Sequence, residues 1–240
     1  MADASLHTLE DIWHCRHLRP FKRKKNRDIS TLDLAGVPCF VKRYRNRGKW
    51  RLPWSGAEGS EVEWAGAGLL RRAGLGTFEP VAVGADGSGR SLLVVTAVRG
   101  ERLEDLLPGN LPFETKLSVV RKLADFAGRF HGMGLTHQDF YLCHLFWEGE
   151  RGEIAVIDLQ RLRSATGLVI PWIAKDLAEL LYSARQFLDP GDVRELSEVF
   201  WQGYTELLPA LKTGKVLRMV EKRAARIARH DKKLRKRAMA

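Results

Sequence analysis

The 240-residue sequence predicts an α+β fold in two parts, residues 1–98 forming an antiparallel-sheet lobe with one helix and residues 99–240 a mainly helical lobe with a basic C-terminal helix. Three observations carry this reading. Strand-type runs separated by Gly-containing turns dominate the first hundred residues. One capped segment with helical spacing interrupts them. Beyond Arg99-Gly100 the apolar spacing changes to the 3.6-residue period of helices and largely keeps it. At 45% hydrophobic residues the chain is long enough to bury a core, as one domain or as two packed lobes.

The first lobe opens with ISTLDL (29–34) and VPCFVKRY (37–44), joined by Ala35-Gly36 as a hairpin. Ser60 is a candidate N-cap and Glu63 stands at the capping-box position of a helix that stops near Gly74. VAVGAD (81–86) and SLLVVTAV (91–98) read as a second hairpin. In the second lobe LEDLL is a short helix, and residues 113–134 form a long amphipathic one with a buried stripe of Leu117, Val120, Leu123, Ala124, Ala127 and Phe130. A loop, two short strands (HLFW and IAVID) and helices over 171–187, 192–206 and about 214–237 follow.

Net charge is +11, unevenly spread. Residues 16–51 carry 13 Lys/Arg against Asp28 and Asp33, and residues 215–240 carry 11 against Glu221 and Asp231, so the remainder of the chain is acidic. Two basic blocks suggest a polyanionic partner such as nucleic acid, an anionic membrane surface or a phosphorylated substrate. The N-terminal residues lack the apolar core of a secretory signal and no run approaches a membrane span, so a soluble, cytosolic protein is expected. Cys15, Cys39 and Cys143 are scattered without a C-x-x-C pair, which fits a reducing compartment. Neither G-x-G-x-x-G nor G-x-x-x-x-G-K-[ST] occurs, which excludes Rossmann and P-loop readings. His131, His137, Cys143 and His144 lie close together, yet their spacing is not a zinc-ligand ladder.

Five residues fall in an informative order: Lys42 ending a strand, Glu63 on the next helix, Asp139 in the loop after the long helix, His144, and Asp158 ending a strand. That is the order of a bilobal protein-kinase-like phosphotransferase. A strand lysine neutralises nucleotide phosphates, and a helix carboxylate, Glu63 or its rival Glu61, orients it. Asp139, in His137-Gln138-Asp139, is the candidate base for the attacking hydroxyl, and Asp158 the candidate magnesium ligand. Glu63 has an alternative as the partner of Ser60 in its own cap.

HQDFYLCHLFW followed by IAVIDLQRLR resembles the lipopolysaccharide core heptose kinases, the Kdo/WaaP family. The match to H-x-D-x-Y-x-C-H runs through His137, Asp139, Tyr141, Cys143 and His144, and the match to I-D-L-x-R ends at Arg161. WIAKDLAELLYSA (172–184) resembles the family's K-D-L-A helix. The resemblance implies a kinase that uses ATP and Mg2+ to phosphorylate a sugar hydroxyl on a lipid-linked glycan, at the cytoplasmic face of the inner membrane. It makes Asp139 the base, Lys42 and Glu63 the phosphate-orienting pair, Asp158 a metal ligand, and Asp176 a tie between its helix and the catalytic loop. His144 stands where kinases carry asparagine, a candidate metal ligand or hydrogen-bond acceptor. The glycine-rich phosphate loop is absent, and FKRKKNRDIS between the first two strands offers basic side chains in its place. Two further readings stand beside this one. One is a noncatalytic module binding a polyanion; the other is nucleic-acid binding with Trp50 and Trp54 as stacking platforms, which leaves the ordered Lys, Glu, Asp, Asp series unexplained. The acceptor sugar and the oligomeric state are not legible from the sequence.

Overall fold

A computed structural model describes residues 8–24, 26–45, 59–86 and 89–238; Trp50 and Trp54 lie outside the described residues. The chain divides into two compact units, Met1–Val98 with Ile157–Arg161, and Arg99–Val156 with Leu162–Ala240.

The first unit holds α1 (Leu9–Trp13), β1 (Arg19–Lys24), β2 (Arg27–Leu34), β3 (Val37–Arg45), α2 (Gly59–Arg72), β4 (Gly76–Thr77), β5 (Pro80–Ala85) and β6 (Arg90–Thr96). Its five-stranded sheet runs β1-β2-β3-β6-β5 with every described pair antiparallel. The β2–β3 turn forms as expected. Ala35 and Gly36 both take positive φ (53° and 85°), the backbone of a tight hairpin, and Asp33 Oδ1 accepts the Gly36 N–H at 2.7 Å. One face of the sheet packs α1 through Ile12 and Trp13 on Leu32, Cys39, Val41, Leu92 and Val94.

Two expectations need correction. The basic stretch FKRKKNRDIS, expected between the first two strands, is itself largely strand, since β1 pairs Arg23 with Asp28 and Lys24 with Arg27. A solvated edge strand tolerates such residues, because exposed lysine and arginine also deter edge-to-edge pairing. Ser60 does not cap α2 with Glu63: it lies inside the helix, and its buried hydroxyl has no hydrogen-bond partner among the described residues. Glu63 is drawn instead to the sheet.

The second unit contains β7 (Glu101–Arg102), α3 (Leu103–Leu106), α4 (Phe113–Gly132), β8 (Leu135–Thr136), β9 (Leu145–Glu148), β10 (Glu153–Val156), β11 (Arg163–Ser164), α5 (Ile170–Phe187), α6 (Pro190–Leu207) and α7 (Gly214–Ala238). α4 buries Val120, Leu123, Ala124, Ala127 and Phe130 of its expected stripe, while Leu117 is half-buried. Phe130 stacks on Phe140 with ring centroids 6.0 Å apart, so the long helix and the loop after it share one core. Gly134 ends that helix with φ 74°, and a Cβ there would stand 2.0 Å from the Ala165 carbonyl oxygen, so only glycine admits this approach. β9 and β10 form an antiparallel hairpin with Leu145 opposite Val156. β10 ends at Val156, so Asp158 lies two residues beyond the strand rather than at its end.

Candidate active site

In the first unit the side chains of Arg27, Lys42 and Tyr44 project from one sheet face, since Arg27 pairs with Tyr44 and Ile29 with Lys42, and alternate residues share a face. Lys42 Nζ donates to Glu63 Oε2 at 2.5 Å, with the lysine side chain 9% and the glutamate 0% exposed. Tyr44 Oη donates to Glu63 Oε1 at 2.6 Å, so both carboxylate oxygens are engaged. Burial, then the adjacent Glu63 carboxylate, push the Tyr44 phenol well above its usual range and keep it a donor. Lys42 also lies 5.4 Å from the centroid of the Phe78 ring. The rival Glu61 is exposed. An ammonium so held is a fixed point charge, which is what a phosphate-orienting lysine requires.

Asp158 adopts φ 63°, a left-handed backbone that non-glycine residues seldom take. Its Oδ1 accepts from Arg27 Nη1 at 3.4 Å. Arg27, which sequence reasoning did not single out, is 14% exposed at its side chain and lies 6.0 Å over the Tyr44 ring. Burial lowers its proton affinity, but the Asp158 carboxylate with Tyr44 and Glu63 more than offsets this and raises it. A carboxylate already serving a cation suits a magnesium ion, which takes oxygen ligands and keeps part of its water shell.

In the second unit the loop bearing Asp139 is held along one side of α5. Asp176 Oδ2 accepts the His137 N–H at 2.6 Å and its Oδ1 the Gln138 N–H at 2.8 Å. Glu179 Oε2 accepts the Phe140 N–H at 3.0 Å, and Ser183 Oγ the Leu142 N–H at 3.1 Å. Lys175 donates to the Gln138 carbonyl and to Glu179. Gln138 has φ 64°, and these bonds on both sides of it sustain the strained backbone. Behind Asp176, His131 Nε2 stands 3.3 Å from Oδ2 and its Nδ1 2.7 Å from Tyr204 Oη, all of them buried. His131, weighed as a zinc ligand, is thus a structural link between α4, α5 and α6.

Asp139 itself keeps an accessible carboxylate, its side chain 26% exposed. His144 Nδ1 lies 2.8 Å from the Asp139 carbonyl oxygen. As the neutral tautomer that donates this bond, His144 carries its lone pair on Nε2, the atom able to accept a hydrogen bond or ligate metal. His137 is fully buried, its ring 5.9 Å from Phe140 and 5.8 Å from His144, consistent with packing the loop. Burial, then the nearby Glu179 carboxylate, push the Tyr141 phenol above its ordinary value, so it remains neutral.

Sequence reasoning missed Glu179 and Ser183. The signal was available: both fall three and seven positions after Asp176, on the stripe that buries Ile173, Leu177 and Leu180. Polar residues at core positions of an amphipathic helix need buried partners.

The fold is that of protein-kinase-like phosphotransferases. A structure of WaaP in complex with acyl carrier protein superposes with a TM-score of 0.67 at 23% identity, over 87% of this chain and 88% of that one. A thermostable mutant of aminoglycoside phosphotransferase APH(4)-Ia, in ternary complex with ADP and hygromycin B, gives 0.57 at 13% identity, over 86% and 83%. The family model for the lipopolysaccharide kinase (Kdo/WaaP) family matches residues 41–204, and the chain belongs to that family. It is 28% identical over 189 residues to the lipopolysaccharide core heptose(I) kinase WaaP of Pseudomonas aeruginosa, covering 68% of this chain and 69% of the relative. The chain is therefore a kinase with an alcohol group as acceptor.

Proposed function

We propose that the protein transfers the γ-phosphoryl group of ATP, with magnesium, to a sugar hydroxyl of the lipopolysaccharide core, a heptose as in the Pseudomonas relative. The observation that carries this reading is the buried Lys42–Glu63 pair, a phosphate-orienting charge held at 2.5 Å in a chain of this family. Asp139 would accept the acceptor's proton, Asp158 would ligate magnesium, and His144 Nε2 is a candidate metal ligand or hydrogen-bond acceptor. Bound magnesium neutralises charge on the transferring phosphoryl group. The test is incubation of the purified protein with Mg-ATP and lipopolysaccharide core, with mass spectrometry locating the added phosphate. Nucleotide binding without transfer to any core acceptor favours the noncatalytic module instead.

The basic α7 supports an anionic membrane surface as docking partner. Val216, Val220 and Ala224 are not free to enter lipid, because they are buried where α7 packs on α5. What faces outward is mostly charge, including exposed Lys222, Arg226, Arg229 and Lys233, beside exposed Leu217 and Leu234. Attraction to lipid headgroups is then mainly electrostatic, about 1 kcal/mol per basic residue near the surface. Vesicles containing anionic lipid should sediment the protein at low salt and release it at high salt, and exchange of those four residues for glutamate should abolish the association. Retention by the fourfold variant removes the proposal. Among the described residues no helix is long and apolar enough to cross a membrane.

An acyl carrier protein is a second partner suggested by the WaaP complex. The supporting feature is an apolar cavity of about 620 Å³ among α4, α5, α6 and α7, lined by Leu123, Leu177, Leu181, Leu196, Phe200 and Val220 among others. Such a cavity suits a hydrocarbon chain. Size-exclusion chromatography should show a complex with the acylated carrier that weakens for the unacylated carrier and for Leu181→Glu. Equal behaviour of all three would exclude the cavity from the interaction.

A further inference from the structure

The β1–β2 hairpin occupies the chain position of a phosphate-binding loop without offering a glycine. Its sequence from Phe21 to Asp28 carries five basic residues instead, Lys22, Arg23, Lys24, Lys25 and Arg27. Lys22 and Arg23 are exposed, whereas Arg27 turns inward, its side chain 14% exposed. The strand register decides this. Asp28 faces the opposite side of the sheet, where it binds Arg43 and Arg45, so its neighbour Arg27 must share the face of Tyr44, Lys42 and Glu63. On that face two cations, Arg27 and Lys42, meet two carboxylates, Asp158 and Glu63.

The two pairs differ in kind. Lys42–Glu63 is short and buried, and Tyr44 reinforces it, so it stays together. Arg27–Asp158 is a single contact at 3.4 Å between side chains 14% and 17% exposed, with no second hydrogen bond between them. A guanidinium binds best through two parallel N–H groups, an arrangement this carboxylate does not supply and a phosphate does. A divalent cation held by Asp158 would compete with Arg27 for that carboxylate, leaving the guanidinium to pair with a nucleotide phosphate.

We propose that Arg27 is a nucleotide-phosphate ligand held in waiting on Asp158, exchanging that carboxylate for a phosphate of the metal–nucleotide complex. The inference rests on the kinase reading and adds to it the residue that stands in for a glycine-rich loop. Arg27 therefore has two opposed effects: it holds the metal carboxylate before nucleotide binds, and it strengthens nucleotide binding afterwards.

The test measures binding rather than turnover. Isothermal titration of the full chain with magnesium and the non-hydrolysable analogue AMP-PNP should show a loss of about tenfold or more for Arg27→Ala, the scale of a charge-assisted phosphate contact. Arg27→Lys should recover part of the loss, and adenosine, which has no phosphate, should bind wild type and variant equally. Without nucleotide, Mn2+ followed by electron paramagnetic resonance should bind Arg27→Ala more tightly than wild type, because a competitor for Asp158 is gone. A merely structural arginine gives neither the phosphate-dependent loss nor the gain in metal affinity. Unchanged AMP-PNP affinity, an equal loss for adenosine, or unchanged Mn2+ affinity overturns the exchange. Wild-type protein that binds no nucleotide at all overturns the kinase reading and this inference together, whereas wild-type binding matched by the variant overturns this inference alone.

Discussion

Asp139→Asn is expected to lower kcat by about 10²–10⁴-fold, the contribution of a positioned general base, while leaving the affinity for Mg-ATP close to wild type. The residue's backbone is held on both sides. Its predecessor Gln138 is bonded through both N–H and C=O, its successor Phe140 donates to Glu179, and its own carbonyl lies 2.8 Å from His144 Nδ1. The carboxylate is the part of Asp139 left accessible, and asparagine matches it in size while lacking the capacity to accept a proton. Phosphoryl transfer has little covalent chemistry for a protein to perform, so positioning and proton acceptance are where a single residue matters. Steady-state kinetics on a core acceptor, with nucleotide titration on the same preparation, separates the two effects. Wild-type kcat in the asparagine variant would remove Asp139 from the chemistry.

Asp176→Ala is expected to destabilise the protein by about 3–5 kcal/mol and to reduce kcat in whatever remains folded, because it leaves buried donors unpaired around a lost charge. Two backbone N–H groups and His131 converge on this carboxylate, which is fully buried. Asp176→Asn should fall between, since an amide offers one acceptor oxygen where the loop needs two. Tyr204→Phe, which removes only the hydroxyl against His131, should cost about 1 kcal/mol and leave kcat intact. Urea denaturation of the four proteins gives the order. Equal stability of Asp176→Ala and wild type would mean that the loop is held by its core packing alone.

These two residues also mark what kinds of information a sequence carries. Lys42, Asp139 and Asp158 stand out as candidates because each belongs to a short local motif, and their order along the chain is a one-dimensional property, although Lys42 lies within β3 rather than at its end. Glu63 was legible only as a choice. Its capping-box position is a local signal, and nothing local says that the side chain leaves Ser60 and crosses to a strand 21 residues earlier. β1 was missed for the opposite reason. A strand at the exposed edge of a sheet has no apolar alternation to display, so Arg19–Lys24 carries no strand signal. The strands β7, β8 and β11 have two residues each, too few to show any period.

By itself the sequence determined the fold class, the kinase family and the order of the candidate site residues, all of which are written in periodicity and motif. Only the tertiary structure decided the partners: Glu63 with Lys42 and Tyr44, Arg27 with Asp158, Asp176, Glu179 and Ser183 with the loop around Asp139, and the apolar stripe of α7 with α5 rather than with lipid. The physical reason is that a buried polar or charged group must find its counterpart in three dimensions, and which counterpart it finds depends on sheet register and helix packing that no short stretch of chain encodes.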